Sequence, residues 1–453
     1  MKKENIQNYQ TVANEQPIIR QEKKPSIFRR VLKTMAWTFG VLIIIAMILV
    51  FVIPKIFSLA WGRDIPVPND RDLLLSVVNI PKNENSYFDL VKLSDILDGE
   101  TKKSEIKIEI PTSINDMKYL ESYDWDNDKI EELLNNNKEA LFIYDIASRK
   151  PQFQYDFTSD PSNIKFPMPI VSLNPWRQIS RISSIKAIYL MKQGNVEEAF
   201  SESFKSVIIG HNIESSKNIP LITYLVGIAI KKTGLETMQV LISNMSGPTE
   251  ILSKYQNELK KYPSSNNGDI FRNEYTNNKK TFHLLNPEFS QGIEKEVLEN
   301  NFYYKPNLTL EYFINHYRQF IEISNKPCSD RSIVTAVKPE ISWKLYFTEN
   351  AVGKTLSTLA VVALNNVRDK KCNNEALLNL TDSLFAIKKY RLEKGNYPES
   401  LSGLNQYYVS GLPNDPFNGE ALLFDKNRMT ISSVGPDQKN GNSDDISVNY
   451  NFK

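Results

Sequence analysis

The sequence predicts a mainly α-helical protein with one membrane-crossing helix near its N-terminus and a small α+β module at its C-terminus. Three observations carry this. An uncharged apolar run lies between Lys33 and Lys55, apolar residues recur at helical spacing through the middle of the chain, and beyond Glu375 one helix gives way to short strand-like stretches.

The chain has 453 residues, 41% of them hydrophobic and 24% charged, which suits folded domains rather than bulk disorder. A net charge of +2 gives no global basic field, so nucleic acid is not an expected partner.

The run TMAWTFGVLIIIAMILVFVIP places a helix at residues 34–54. At about 1.5 Å per residue it is expected to cross a hydrocarbon core of about 30 Å and to contact membrane lipid. Trp37 and Trp61 fall near the two expected interfaces. Lys2, Lys3, Arg20, Lys23, Lys24, Arg29, Arg30 and Lys33 precede it, against Lys55 and Arg63 just after. Residues 1–33 are therefore expected to be a cytoplasmic basic tail, the inner membrane the location, and the bulk of the chain periplasmic or extracellular. A cleaved signal peptide is the competing reading, disfavoured by the length of the run and by the lack of a nearby small-x-small site.

Residues 55–70 read as a Pro-containing linker and 71–374 as an all-helical extracytoplasmic domain. Residues 73–81 suit a strand or packed turn, 126–137 a capped helix, and 150–175 an extended loop. The clearest periodicity runs through Trp176, Ile179, Ile182, Ile185 and Tyr189, turns at Gln193-Gly194-Asn195, and resumes through Ala199, Phe200, Phe204 and Val207. This predicts an αα-hairpin that resembles a single tetratricopeptide-type unit, with no second copy at that period. Residues 219–230 read as a buried helix ended by Lys231-Lys232, and further helices are expected at 249–261, 308–324 and 346–368.

Catalytic signatures are weak throughout, so no catalytic residue, enzyme activity or small-molecule substrate is expected. Ser183-x-x-Lys186 and Lys232-Thr233-Gly234 both fall in helical sequence, where the penicillin-binding type of site requires a strand. Asp124, Asp126 and Asp128 open like an EF-hand loop, but Lys129 stands at the turn and Asn135 where the closing Glu belongs. His211, His283 and His316 are scattered singly. Cys328 and Cys372 are the only two cysteines; beyond a membrane they favour a disulfide, the alternative being two buried thiols.

From 375 to 453 the pattern is distinctive. A helix through Leu377, Leu380, Leu384 and Ile387 stops at Gly395, followed by Asn396-Tyr397-Pro398, Leu412-Pro413-Asn414-Asp415-Pro416, two short strands, and the acidic loop opened by Gly435-Pro436-Asp437. These pieces, with Tyr390-Arg391, Ser433 and Asp444-Asp445-Ile446, resemble the soluble domain of the major pseudopilin of type II secretion systems and cover about a sixth of the chain. Three carboxylates, Asp437, Asp444 and Asp445, offer the hard oxygen ligands that calcium takes. The resemblance implies calcium in this loop and adds the carbonyls of Val434 and Lys439 as ligands. Gln438 stands where that family has Gly.

The sequence therefore suggests a non-enzymatic, membrane-anchored protein of a bacterial envelope that presents a calcium-stabilised pseudopilin-like module to envelope or secretion proteins. The alternatives are a helical receptor or scaffold with a purely structural C-terminus, and a hydrolase with an unrecognised site. Against a filament role, Gly40 is not followed by a Glu at the fifth position, and some three hundred residues separate the predicted span from the module.

Overall fold

The computed structural model of the chain describes residues 27–52, 56, 63–75, 80–97, 127–155, 172–217, 219–265, 268–284, 302–330 and 348–452. The chain divides into two units, Met1–Gly62 and Arg63–Lys453.

In the first unit, α1 (Ile27–Met47) is followed by one π-helical turn, Ile48–Val52. Among the described residues no helix is long and apolar enough to cross a membrane, which corrects the transmembrane helix expected at 34–54. The helix starts seven residues earlier than expected and takes Arg29, Arg30 and Lys33 into its first turns. Regular α-geometry then stops at Met47. Of its 21 residues, the uncharged part after Lys33 is therefore 14. At ~1.5 Å per residue that part rises only about 21 Å, against a core of about 30 Å. Its apolar side chains are largely exposed, Trp37 at 77% and Phe39 at 67%.

In the second unit the described helices are, in chain order, α2 (Tyr87–Leu97), α3 (Asn127–Asn136), α4 (Lys138–Ser148), α5 (Asn174–Lys192), α6 (Val196–Glu214), α7 (Leu221–Asn244), α8 (Thr249–Leu259), α9 (Asp269–Leu284), α10 (Pro306–Ser324) and α11 (Ala351–Lys394). Residues 71–73 form a 3-10 turn, whereas 76–79 and 156–171, parts of the expected strand and extended loop, lie outside the described residues.

The α5–α6 hairpin turns where its Gly-Asn pair predicts. Gly194 takes φ +83, and Asn195 N–H caps the end of α5 by donating to Leu190 O at 2.9 Å. Helix α7 then crosses α6 at very close range. A Cβ at Gly210 would lie 2.4 Å from Lys231 N, and one at Gly227 would lie 2.6 Å from Ile213 Cγ2, so only hydrogen fits at either point.

Lys231 does not end this helix, contrary to the sequence reading. It is wholly buried and its ammonium donates to Glu214 Oε1 at 2.6 Å and to Pro263 O at 2.9 Å, while Asn374 Nδ2 reaches the other Glu214 oxygen at 3.2 Å. Burial pushes the lysine pKa down and the Glu214 carboxylate opposes that push.

Helix α11 is one continuous helix of 44 residues where two were expected. Its N-terminal part packs into a core of α2, α4, α5, α7, α9 and α10, around Trp176, Tyr275, Phe313 and Tyr317. Its C-terminal part, through Leu380, Leu384 and Phe385, shares a second core with α6, α7, α8 and the C-terminal sheet. It ends as the sequence predicts, with Gly395 at φ +74 and its N–H donating to Arg391 O at 2.8 Å.

The sheet has order β1-β2-β3, all antiparallel, from β1 (Leu423–Asp425), β2 (Thr430–Ser433) and β3 (Ile446–Asn449). Tyr450 seals it, stacking on Phe424 at 5.1 Å and meeting Tyr397 edge-on at 5.4 Å.

Removing one partner of the buried pair leaves an uncompensated charge. Glu214→Leu should cost about 3–5 kcal/mol in urea denaturation, and adding Lys231→Met should recover much of that loss. Equal stability of the single and double variants contradicts this account of the α6–α7 crossing.

Candidate metal loop

Asp415 is wholly buried and holds the C-terminal module at one point. Its Oδ1 accepts from Phe417 N–H at 3.0 Å and from Ser433 Oγ at 2.8 Å, and its Oδ2 accepts from Val434 N–H at 2.8 Å. Its own N–H donates to Glu420 O at 2.7 Å. The Leu412-to-Pro416 segment is thereby fastened to the end of β2, at the residue where the acidic loop begins. The motif containing Asp415 stands out in the sequence, but its role as an internal clamp does not.

Gly435 opens the loop at φ +67, and a Cβ there would lie 2.2 Å from Asp444 O and 3.2 Å from Asp444 Oδ2. The two ends of the loop therefore touch through backbone, a closeness only glycine permits. Within it, Asp444 Oδ2 accepts from Asp437 N–H at 2.9 Å, and Asp437 accepts from Lys439 N–H at 2.7 Å and Asn442 Nδ2 at 2.8 Å. Asp445 Oδ2 accepts from Gly441 N–H at 2.7 Å, whereas its buried Oδ1 has no hydrogen-bond partner.

Of the five ligands expected from the sequence, Val434 is buried at the end of β2, while Asp437 and Lys439 are exposed; Asp444 and Asp445 are half-buried. Among the described residues, no three acidic, histidine or cysteine side chains converge as a metal cluster. The oxygen-only donor set and the unsatisfied Asp445 oxygen nevertheless fit a hard cation. Each bonded carboxylate also keeps lone pairs to spare.

Gln438, the departure from the family pattern, takes φ +59, the left-handed conformation a glycine adopts freely. Its side-chain amide donates to Phe417 O and, at 3.4 Å, to Ser329 O. The residue thus keeps the turn and adds a tether to the segment beside Cys328, which sequence reasoning missed.

Cys328 and Cys372 are bonded, with S–S 2.08 Å and Cα–Cα 5.8 Å. The bridge packs with Ala376, Phe417 and Val434, and against Leu423 and Ile446. The two features singled out at distant points of the sequence, cysteine pair and acidic loop, therefore meet across Phe417 and Val434.

The remaining sequence candidates serve structure. Ser183 donates to Glu202 Oε1 at 2.8 Å, and Lys186 pairs with the same carboxylate at 3.0 Å, inside the α5–α6 hairpin. Thr233 is helical and donates to Ala229 O at 2.9 Å. Asp128 lies in the first turn of α3, whereas Asp124, Asp126 and the His283 side chain lie outside the described residues.

His316 is half-buried, and that partial burial pushes its pKa down. A cleft of about 320 Å³ beside Gln152 and Asn212 contains His211 and Ser215, with Ser215 Oγ 3.4 Å from Nε2. The other ring nitrogen lies 3.0 Å from Pro263 O and 3.5 Å from Glu214 Oε1. The same Glu214 oxygen takes the Lys231 ammonium at 2.6 Å, so this carboxylate is shared between the imidazole and the buried lysine.

No family model, curated protein or solved structure matches the chain.

Replacing Asp415 by Ala leaves buried N–H groups at Phe417 and Val434 without partners and should lower stability by about 3 kcal/mol in urea denaturation. A loss below about 0.5 kcal/mol contradicts the clamp. The disulfide closes a separation of 44 residues, so Cys328→Ser/Cys372→Ser should cost up to about 4 kcal/mol. An unchanged melting temperature under reduction contradicts that.

Proposed function

We propose that the second unit is a non-enzymatic, extracytoplasmic binding protein whose C-terminal face, made by α11, the sheet and the 435–445 loop, is stiffened by calcium for contact with a protein of the bacterial envelope. The observation that carries this reading is the buried, unpartnered Asp445 Oδ1 in an all-oxygen loop whose two ends are held together at Gly435 and Asp444. The pseudopilin-like order of Tyr397-Pro398, Leu412 to Pro416 and Gly435 to Asp445 supports calcium as the ion and secretion as the setting. The disulfide supports an oxidising compartment.

Asp437, Asp444 and Asp445, with the carbonyls of Val434 and Lys439, would hold the ion. Calcium would neutralise three carboxylates crowded within one loop and draw its hydrogen-bonded halves together. Because Ile446 follows directly, order in the loop becomes order in β3.

One observation favours a second reading, in which the module only completes a helical scaffold. Its apolar residues Ile431, Val448 and Tyr450 belong to the same core as Phe200, Leu241 and Tyr255 of the helices.

Thermal melting separates the two. Calcium at about a hundredfold over its dissociation constant should add about 2.7 kcal/mol of stability to the full chain. Asp445→Asn and Asp444→Ala should each abolish the gain, and magnesium should give much less because it resists dehydration. A melting temperature indifferent to calcium defeats the first reading and leaves the second.

A further inference from the structure

Strand β3 is an edge strand. Tyr450 N–H donates to Met429 O at 2.9 Å, and the register pairs Ile431 with Val448 and Ser433 with Ile446. In an antiparallel ladder, bonded and non-bonded pairs alternate. This phase turns the backbone N–H and C=O groups of Ser447 and Asn449 away from β2. Both residues are exposed. No further strand pairs with β3 among the described residues.

The open edge borders a groove of about 970 Å³ that runs between β3, α7 and α11. Its walls are apolar where α7 contributes Ile222, 48% exposed, and half-buried Leu225, and where α11 contributes Leu377. Its charge is one-sided. Arg177 and Lys370 line it and are exposed, with the cation Arg181 near Arg177 and the carboxylate of Asp369 near Lys370. The third cation, Lys232, is matched by the groove's own Glu236 at 3.6 Å. A row of unpaired backbone groups beside apolar walls and two exposed cations offers an extended segment main-chain bonds, side-chain burial and charge pairing together.

We infer that this groove receives an extended segment of a partner protein, in which acidic residues alternate with apolar ones, added to the sheet as a fourth strand against β3. The inference rests on the binding-protein reading of the C-terminal face and names its partner by chemistry. The segment's backbone would bond to Ser447 and Asn449, its apolar side chains would meet Ile222, Leu225 and Leu377, and its carboxylates would reach Arg177 and Lys370. A like-charged strand would be repelled by the same two cations.

The test is fluorescence anisotropy with the full chain in calcium. The probe is a fluorescein-labelled peptide of about seven residues alternating Glu and Val, long enough at ~3.3 Å per residue to cover β3. It should bind, and the same peptide with Lys for Glu should bind at least about tenfold more weakly at low salt. N-methylation of alternate peptide amides, which leaves the protein untouched, should weaken binding by at least about tenfold because it removes the strand's donors. Arg177→Glu/Lys370→Glu should reverse the preference between the two peptides, and Ser447→Pro, which removes only an outward N–H, should weaken both. Binding that is indifferent to N-methylation or to peptide charge overturns the proposal. So does absence of binding up to about 1 mM. If the melting temperature still rises with calcium in that case, the calcium reading survives and only the groove's occupant is wrong. A calcium-dependent dimer of the chain that Ser447→Pro dissolves overturns the proposal in favour of a second copy in the groove.

Discussion

One unbroken helix of 44 residues has to satisfy several environments along its length, and the second unit is organised by that constraint. Near its start α11 packs with the large aromatic core around Trp176 and Tyr317. Around Cys372 and Ala376 it meets the disulfide and the base of the acidic loop, and from Leu377 onward it lies between α6–α8 and the sheet. The buried Lys231–Glu214 pair fastens it midway, because Asn374 on α11 completes the hydrogen bonding of Glu214. A charge pair in such a place adds little as attraction alone, but loss of either member is costly. It therefore holds α6, α7 and α11 in one register.

The C-terminal face inherits its geometry from this frame through few contacts. Asp415 joins the Leu412 segment to β2, Gly435 lets the two ends of the acidic loop meet, and Gln438 links the loop to Phe417 and Ser329. Beneath them the disulfide fixes Cys328 to the helix. Strand β3 then leaves the loop at Ile446 with one edge bonded to β2 and the other facing the groove. An ion in the loop and a strand in the groove would thus act on the same four residues.

Much of this was legible in the sequence where the signal is local. The Gly194-Asn195 turn, the apolar spacing of α5 and α6, and the Gly395 stop each follow from backbone preference and periodicity, and each forms as read. Tertiary partners overrode local signals elsewhere. Lys231-Lys232 reads as a helix end, yet Glu214, seventeen positions earlier, makes the first lysine a buried residue. Arg368 to Asn374 reads as a polar break between two helices; Lys371 and Asn374 are instead buried within one helix, with Asn374 bonded to Glu214. At residues 34–54, hydropathy registered the apolar run but not where regular helix begins and ends, so the span it suggested lies seven residues further along the chain than the α-helix that forms. In the loop, residue types pointed to the acids, while the clamp at Asp415 and the turn kept by Gln438 depend on neighbours distant in sequence.

Hydrogen–deuterium exchange of the full chain, followed with and without calcium, tests the central claim most directly. If calcium organises the loop, amides from Asp437 through Asn449 exchange more slowly with the ion, Gly441 and Asp444 among them, while the α5–α6 hairpin is unaffected. If exchange across 437–449 is the same in both conditions, the loop is not a calcium site and the C-terminal face owes its order to its packing, the Asp415 clamp and the disulfide.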